Sequence, residues 1–367
     1  MRKLNFVKAC LCATAAFVLP LGVASAGDTY KPACFVPAAN SKVIQTKAKP
    51  GPYRIALVNG FVGNDWRINM IQAAKAWAAK PESKADIKEF KIISVGNDVA
   101  AQISAVDNLI SAGYDGIVLN AVNATSFGPV VKRAAKANVA LVAFDNVLDT
   151  DAIVQINEPQ FDLGKIKAEA LMERLKGVQN PKVLEVRGLP GNSVDRDNHD
   201  GMRSVLDKVP GIKVTEVVGN WDTGTVQKVV ADALSTRGQF DGIVCQHGCA
   251  GAVRALLDAK MPMIPITGDA ENGTRMIMAK EGVKGLSAAQ APAMSAVTLM
   301  ALIAQLKGEK MPSLVALAIP SLKTEELKDG VNYFTNLPAT FYAATEFPAC
   351  GVNFTAEEII KQTPDNM

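Results

Sequence analysis

From Tyr53 onward the chain alternates short apolar runs with helical patterns, and that alternation constrains the fold more than any other feature of the sequence. Runs of three to six apolar residues bounded by turn signals suit buried parallel strands. Such runs, some interrupted by one or two polar residues, mark expected strands at 55–58, 92–95, 117–119 and 139–144. Further strands are expected at 183–186, 214–218, 243–245, 264–267 and 286–288. Between them fall helical faces. Met70, Ala73, Ala74 and Trp77 mark one, and Val99, Ile103, Val106 and Ile110 mark another, with Asp98 as its N-cap and Gly113 closing it. Further helices are expected over 130–137, 163–175, 202–209, 226–234, 252–259, 274–279 and 293–306. Strands alternating with helices build βαβ units and parallel sheets. The pattern runs through twice, and each half ends its fourth strand near an Asp, Asp145 and then Asp269. The expectation is therefore an α/β protein of two doubly wound parallel-sheet lobes with a cleft between them.

In open α/β sheets a ligand sits outside the carboxyl ends of the strands. The residues just past the strand ends are polar or aromatic. They include Asn59, Phe61, Asn64, Asp65 and Trp66 after the first strand, and Asp145 and Asn146 after the fourth. In the second half they include Arg187, Asp195, Arg196, Asn220, Trp221, Gln246, His247, Asp269 and Gln290. Aromatic rings offer flat faces to the C–H side of a sugar or cyclic polyol. Carboxylates, amides and a guanidinium satisfy its hydroxyls, which both donate and accept. Each residue alone also has a plain structural role, since an Asp after a strand often caps a turn or a helix. Trp77, on a helix face, is expected in the core.

The N-terminus reads as a secretory leader. Arg2, Lys3 and Lys8 precede an apolar run over 9–23, and Ala24-Ser25-Ala26 is a small-residue cleavage site. Removing residues 1–26 takes away three basic residues and no acid, leaving 36 basic against 36 acidic. A neutral exported chain with no basic block is a poor nucleic-acid binder. No later apolar run reaches the ~20 residues of a membrane span. The loop Asn59-Gly-Phe-Val-Gly63 lacks the dinucleotide spacing G-x-G-x-x-G. There is also no G-x-S-x-G elbow, and two His leave little for catalysis. A binding protein without cofactor or metal is expected, not an enzyme. Cys34 and Cys350 lie near the two ends of the mature chain, which often come close together, and an exported protein permits disulfides. A Cys34–Cys350 bridge is expected. For Cys245-Gln-His-Gly-Cys249 three readings stay open: a metal site, a local disulfide, or packed thiols.

Three groups of segments carry a family resemblance: 113–122 (Gly-Tyr-Asp-Gly-Ile-Val-Leu-Asn-Ala-Val) with 128–134 and 142–145, Ile156-Asn157 with Gly164-Lys165, and 191–196 with Gly201-Met202. On these the sequence resembles periplasmic sugar-binding proteins of the ribose-, galactose- and xylose-binding type, the substrate receptors of ABC importers. The segments resemble, in turn, that family's first-lobe core, its re-entry into the second lobe and its second-lobe loop. The resemblance covers about residues 50–325. It implies a periplasmic binding protein-like I fold with a multi-strand hinge, and a periplasmic monomer that closes on a sugar or polyol and hands it to an inner-membrane ABC permease. It implies ligand contacts at Asn64, Asp65, Trp66, Asp145, Asn146, Arg196, Trp221, His247, Asp269 and Gln290. Asn146 stands where many ribose-type members have Arg, and His247 where Asn is usual, so the sugar is left open. A receptor for a signalling molecule or a non-sugar solute is the alternative. The implied division is a leader at 1–26, an extension at 27–50 and an N-terminal lobe of 51–148 with 291–315. A C-terminal lobe of 149–290 with 316–330 and an extension at 331–367 complete it.

Overall fold

The structure is a computed structural model and describes residues 33–60, 63–288 and 290–366. The expected leader and the start of the N-terminal extension lie outside the described residues. The first half of the chain runs β1 (Val43–Gln45), β2 (Tyr53–Asn59), α1 (Asp65–Ala78), α2 (Pro81–Lys84), β3 (Ile87–Ser94) and α3 (Val99–Ser111). It continues with β4 (Gly116–Asn120), α4 (Gly128–Lys136), β5 (Ala140–Phe144) and β6 (Val154–Asn157). The second half runs α5 (Gln160–Arg174), β7 (Lys182–Arg187), α6 (Ser193–Leu206), β8 (Lys213–Val218), α7 (Thr223–Arg237) and β9 (Gly242–Cys245). After it come α8 (Ala250–Asp258), β10 (Ile266–Gly268), α9 (Asn272–Lys280) and β11 (Gly285–Ala288). The chain then returns through α10 (Met294–Leu306), β12 (Lys310–Pro312), β13 (Leu314–Ala316) and β14 (Ser321–Lys323), and ends in β15 (Glu346–Phe347), β16 (Val352–Asn353) and α11 (Ala356–Ile360).

Two six-stranded sheets result, ordered β3-β2-β4-β5-β6-β13 and β8-β7-β9-β10-β11-β14. Both follow the doubly wound order in which the first and third strands are neighbours, which opens a crevice at their carboxyl ends. The crevices face each other as the walls of one cleft. Register fixes what stands there: Asn59 pairs opposite Asn120, and Val186 opposite Cys245. Strands β4 and β5 are buried at every position, as a sheet covered on both faces requires. Helix α10 is apolar nearly all round and is buried under the first sheet against β4, β5 and β6. In the second lobe, Gly164 of α5 and Gly201 of α6 let the two helices touch. A Cβ at either would stand 2.0 Å from a backbone carbonyl oxygen of the other helix.

The topology redraws three expected boundaries. Val154–Asn157 had no strand assigned; it pairs with β5 and β13, so the first crossing follows Asn157, where 148 was expected. Likewise β13 belongs to the first sheet and β14 to the second, so the last crossing lies between 316 and 321. The expected helix over 202–209 begins at Ser193, because Asn192 caps it through a bond from the Val194 N–H. Residues 195–197 are thus helical and do not form a loop.

The first and last parts of the described chain meet. Cys34 and Cys350 form a disulfide with their Cα atoms 4.5 Å apart and a sequence separation of 316. Strand β1 pairs with β12 beside it. Cys245 and Cys249 also form a disulfide, which selects one of the three open readings.

Candidate functional site

Asn64 is the N-cap of α1, its Oδ1 accepting from the Arg67 N–H at 3.0 Å. That cap aims the first turn of α1 at the cleft. Trp66 lies there, and its Nε1 donates to the Gln290 carbonyl at 3.2 Å. Arg67, one position on, is buried and donates from Nη1 to Asn59 Oδ1 at 2.8 Å. Its Nη2 stands 3.8 Å from Asp145 Oδ2. Asp145 follows β5 in the left-handed region, φ +60°, which swings its carboxylate into the cleft. It accepts from Asn120 Nδ2 at 3.2 Å and from Gln290 Nε2. Burial pushes the Asp145 carboxyl up, against the pull of Arg67 and the two amides. Asn146 donates to Asn120 Oδ1 and to the Ala121 carbonyl, at 3.1 and 2.8 Å.

The second lobe faces this with a different set. Trp221 follows Asn220, and both residues have positive φ, so the chain doubles back and drops the indole over Gly188. A Cβ at Gly188 would stand 1.9 Å from Trp221 Nε1, so only glycine admits the ring. That Nε1 donates to Gln246 Oε1 at 2.9 Å, and Gln246 Nε2 donates to Asp195 Oδ1 at 3.0 Å. Asp269 accepts from two backbone N–H groups, Cys249 at 3.0 Å and Glu271 at 2.9 Å. His247 Nδ1 lies 3.5 Å from Asp269 Oδ2. Burial raises the Asp269 carboxyl, but His247 and those N–H groups outweigh it and hold it well below the usual range. Glu271, beside it, is pushed up to about 10 by burial, by Asp269 and by a bond to Asp65 of the opposite lobe. Lys167 of α5 is buried and donates to the carbonyls of Cys245 and Gln246 at 3.1 and 2.9 Å. Burial lowers its ammonium to about 8. Asn198 of α6 donates to Gln160 at 2.6 Å, and its buried Oδ1 has no partner among the described residues.

Side chains of both lobes line one cavity between them. Of the expected contacts, Asn64, Trp66, Asp145, Asn146, Trp221, His247, Asp269 and Gln290 line it. Asp65 does not; it meets Glu271 instead. Arg196 does not either. On helix α6 it stands one position past Asp195, whose side chain takes the inward face and pairs with Arg187 at 2.7 Å. Arg196 is turned outward onto Asp197, its side chain 59% exposed. Seven lining residues had not been chosen as contacts: the apolar Leu163 and Val194, and the polar Arg67, Lys167, Asn198, Gln246 and Tyr342. Gln246 had its signal, standing just past a strand end. Lys167 and Tyr342 had none: one is mid-helix and the other lies far along the C-terminal extension.

Such a cleft, polar and aromatic on both walls between two doubly wound lobes, defines the two-lobe solute-binding class. The chain belongs to the periplasmic binding protein family, whose domain model matches residues 55–310. It is similar to a xylitol-binding protein of Mycolicibacterium smegmatis, 32% identical over 191 residues, 51% of this chain and 54% of that one. It is also similar to a D-ribose/D-allose-binding protein of Pseudomonas aeruginosa, 26% identical over 228 residues, 58% of this chain and 68% of that one. The alignment thus spans about half the length of the first relative. Among solved structures, an ABC transporter solute-binding protein from Thermobispora bispora superposes with a TM-score of 0.73 at 23% identity, covering 85% of this chain and 94% of the other. One from Actinobacillus succinogenes with bound D-allose gives 0.66 at 22%, covering 74% and 98%. These likenesses concern the fold.

Proposed function

We propose that the protein is a periplasmic receptor that captures a sugar or polyol between its lobes and delivers it to the permease of an ABC importer. One observation carries the reading: each lobe brings one Trp and one buried, bonded carboxylate to the same cavity, Trp66 with Asp145 and Trp221 with Asp269. Two rings and two carboxylates flanked by amides match a small ring or chain with apolar C–H faces and hydroxyls in between. The names of the similar proteins point the same way, toward xylitol, ribose and allose. Asn64, Trp66, Asp145, Asn146, Trp221, His247, Asp269 and Gln290 are assigned to the ligand, with Arg67, Lys167 and Gln246 holding them in place. Ligand enters one lobe, the hinge rotates, and the other lobe closes, the motion by which periplasmic binding proteins as a class enclose their ligands. The ligand drives closure only as far as it binds the closed form better than the open one.

A thermal-shift screen of residues 27–367 against pentoses, hexoses, polyols, inositols and amino acids tests this. A ligand at a thousandfold excess over Kd adds about 4 kcal/mol to the native state. A clear upward shift with one sugar or polyol is expected. A shift with amino acids alone, or with none of the panel from protein free of carried-over ligand, would replace this reading with a receptor for a signalling or non-sugar solute.

A further inference from the structure

The segment 332–342 lies outside the matched family domain, and it touches both lobes. On the second lobe, Asn272 at the start of α9 donates from Nδ2 to the carbonyls of Phe334, Leu337 and Pro338, at 2.9, 3.4 and 3.1 Å. Its Oδ1 accepts from the Phe334 N–H at 2.8 Å. The backbone N–H groups of Asn272 and Gly273 donate to Phe341 and Ala339, and Arg275 donates to the Asn332 carbonyl. On the first lobe, Asn69 of α1 donates to the Thr340 carbonyl at 2.9 Å and accepts from the Tyr342 N–H at 3.3 Å. Phe341 and Tyr342 sit in the apolar core shared with α1 and α10. The chain leaves the second sheet at β14 and ends on the first lobe, where α11 packs on α1 and Cys350 joins Cys34. It is therefore a fourth connection between the lobes, beyond the three that follow β6, β11 and β13.

The segment carries one side chain into the cavity. The Tyr342 hydroxyl lies 2.8 Å from His247 Nδ1, and the two rings stack with centroids 5.7 Å apart. Burial and the nearby acids Asp269, Glu271 and Asp65 hold this phenol above its usual range, so it keeps its proton. A hydroxyl bonded once to His247 has hydrogen-bonding capacity left for a ligand.

We propose that segment 332–342 is a working wall of the ligand site: seated on both lobes, it presents the Tyr342 hydroxyl beside His247 and so makes Tyr342 a specificity-determining ligand contact. This rests on the solute-receptor reading above. It also accounts for His247 at a position where the resembling family uses an amide, because the imidazole Nδ1 is within reach of both Asp269 and the Tyr342 hydroxyl.

The test is Tyr342→Phe, which keeps the buried ring and removes one oxygen. Calorimetry with xylitol, D-ribose, D-allose and myo-inositol should show at least a tenfold weaker Kd for whichever the wild type binds, with the thermal midpoint of the ligand-free protein little changed. Wild-type affinity in the variant overturns the proposal. If the wild type binds none of the four, the solute reading falters, and two ligand-free measurements decide the wall. The amides of Phe334, Tyr342, Asn272 and Gly273 should resist hydrogen exchange. Tyr342→Phe should also move the imidazole C–H resonances of one of the two His. Fast exchange at those amides, or unmoved imidazole signals, overturns the proposal.

Discussion

The two lobes share one strand order and differ in how they hold their acids. In the first, Asp145 faces a buried guanidinium, Arg67, and two amides. In the second, Asp269 rests on two backbone N–H groups with His247 nearby, while the buried cation Lys167 is spent on carbonyls of the β9–α8 turn. The sixth strands differ too: β13 joins its sheet parallel to β6, whereas β14 joins antiparallel to β11. The lesson is that one topology supplies the positions, while side chains from elsewhere decide the electrostatics at each. The first lobe neutralises its carboxylate with a charge from α1. The second solvates its carboxylate with the chain itself.

That contrast predicts unequal responses. Arg67→Ala should have the largest effect on stability, about 3–5 kcal/mol, because it leaves a buried carboxylate without its counter-charge. Asp269→Asn should cost less, about 1–3 kcal/mol, since an amide oxygen can still accept from one of the two N–H groups. Urea denaturation of both variants measures the difference, and equal losses would break the contrast. In binding, Trp66→Ala and Trp221→Ala should each weaken the ligand roughly tenfold, about 1.4 kcal/mol, by calorimetry. A loss confined to one Trp would mean that only one lobe carries the ring.

The pH response sharpens the picture of the second lobe. Glu271 holds its proton up to about 10 in the fold, against an ordinary 4.5. The folded state therefore binds one more proton than the unfolded chain above pH 4.5, and this contribution is fully present only below that pH. Stability should fall as pH rises from about 5 to 8, by up to about 1.4 kcal/mol per unit for one proton. Glu271→Gln, which imitates the protonated form, should flatten that slope in denaturation curves. Lys167 acts oppositely and higher. Its lowered value of about 8 means that stability rises from there toward 10.5 as the unfolded lysine loses its proton. The smallest effect belongs to Arg196→Ala. An exposed arginine paired with Asp197 should change neither affinity nor stability by more than about 0.5 kcal/mol. A tenfold loss of binding there would restore the residue to the site.

Much of this molecule was legible in its sequence. The alternation of apolar runs and helical faces determined two parallel-sheet lobes, because a strand covered on both faces must be apolar throughout. The residues past the strand ends marked the cleft, because the doubly wound topology always opens there. Nine of the residues marked that way line one cavity. What local pattern could not determine was phase and distance. Arg196 and Arg67 look alike in a sequence. Asn192 starts α6 early enough to turn Arg196 outward, and Asn64 starts α1 so that Arg67 turns inward. Strand β6 alternates Val and Ile with Gln and Asn and so does not read as an apolar run, and it is held in the first sheet between β5 and β13, the latter more than 150 residues later. Lys167 and Tyr342 reach the cavity only because the helices and the C-terminal segment pack where they do. Local sequence determines which segments become strands and helices, through periodicity and capping. Only the packed tertiary structure decides which polar side chain on each of them is driven inward, because that choice is made by partners distant in the chain.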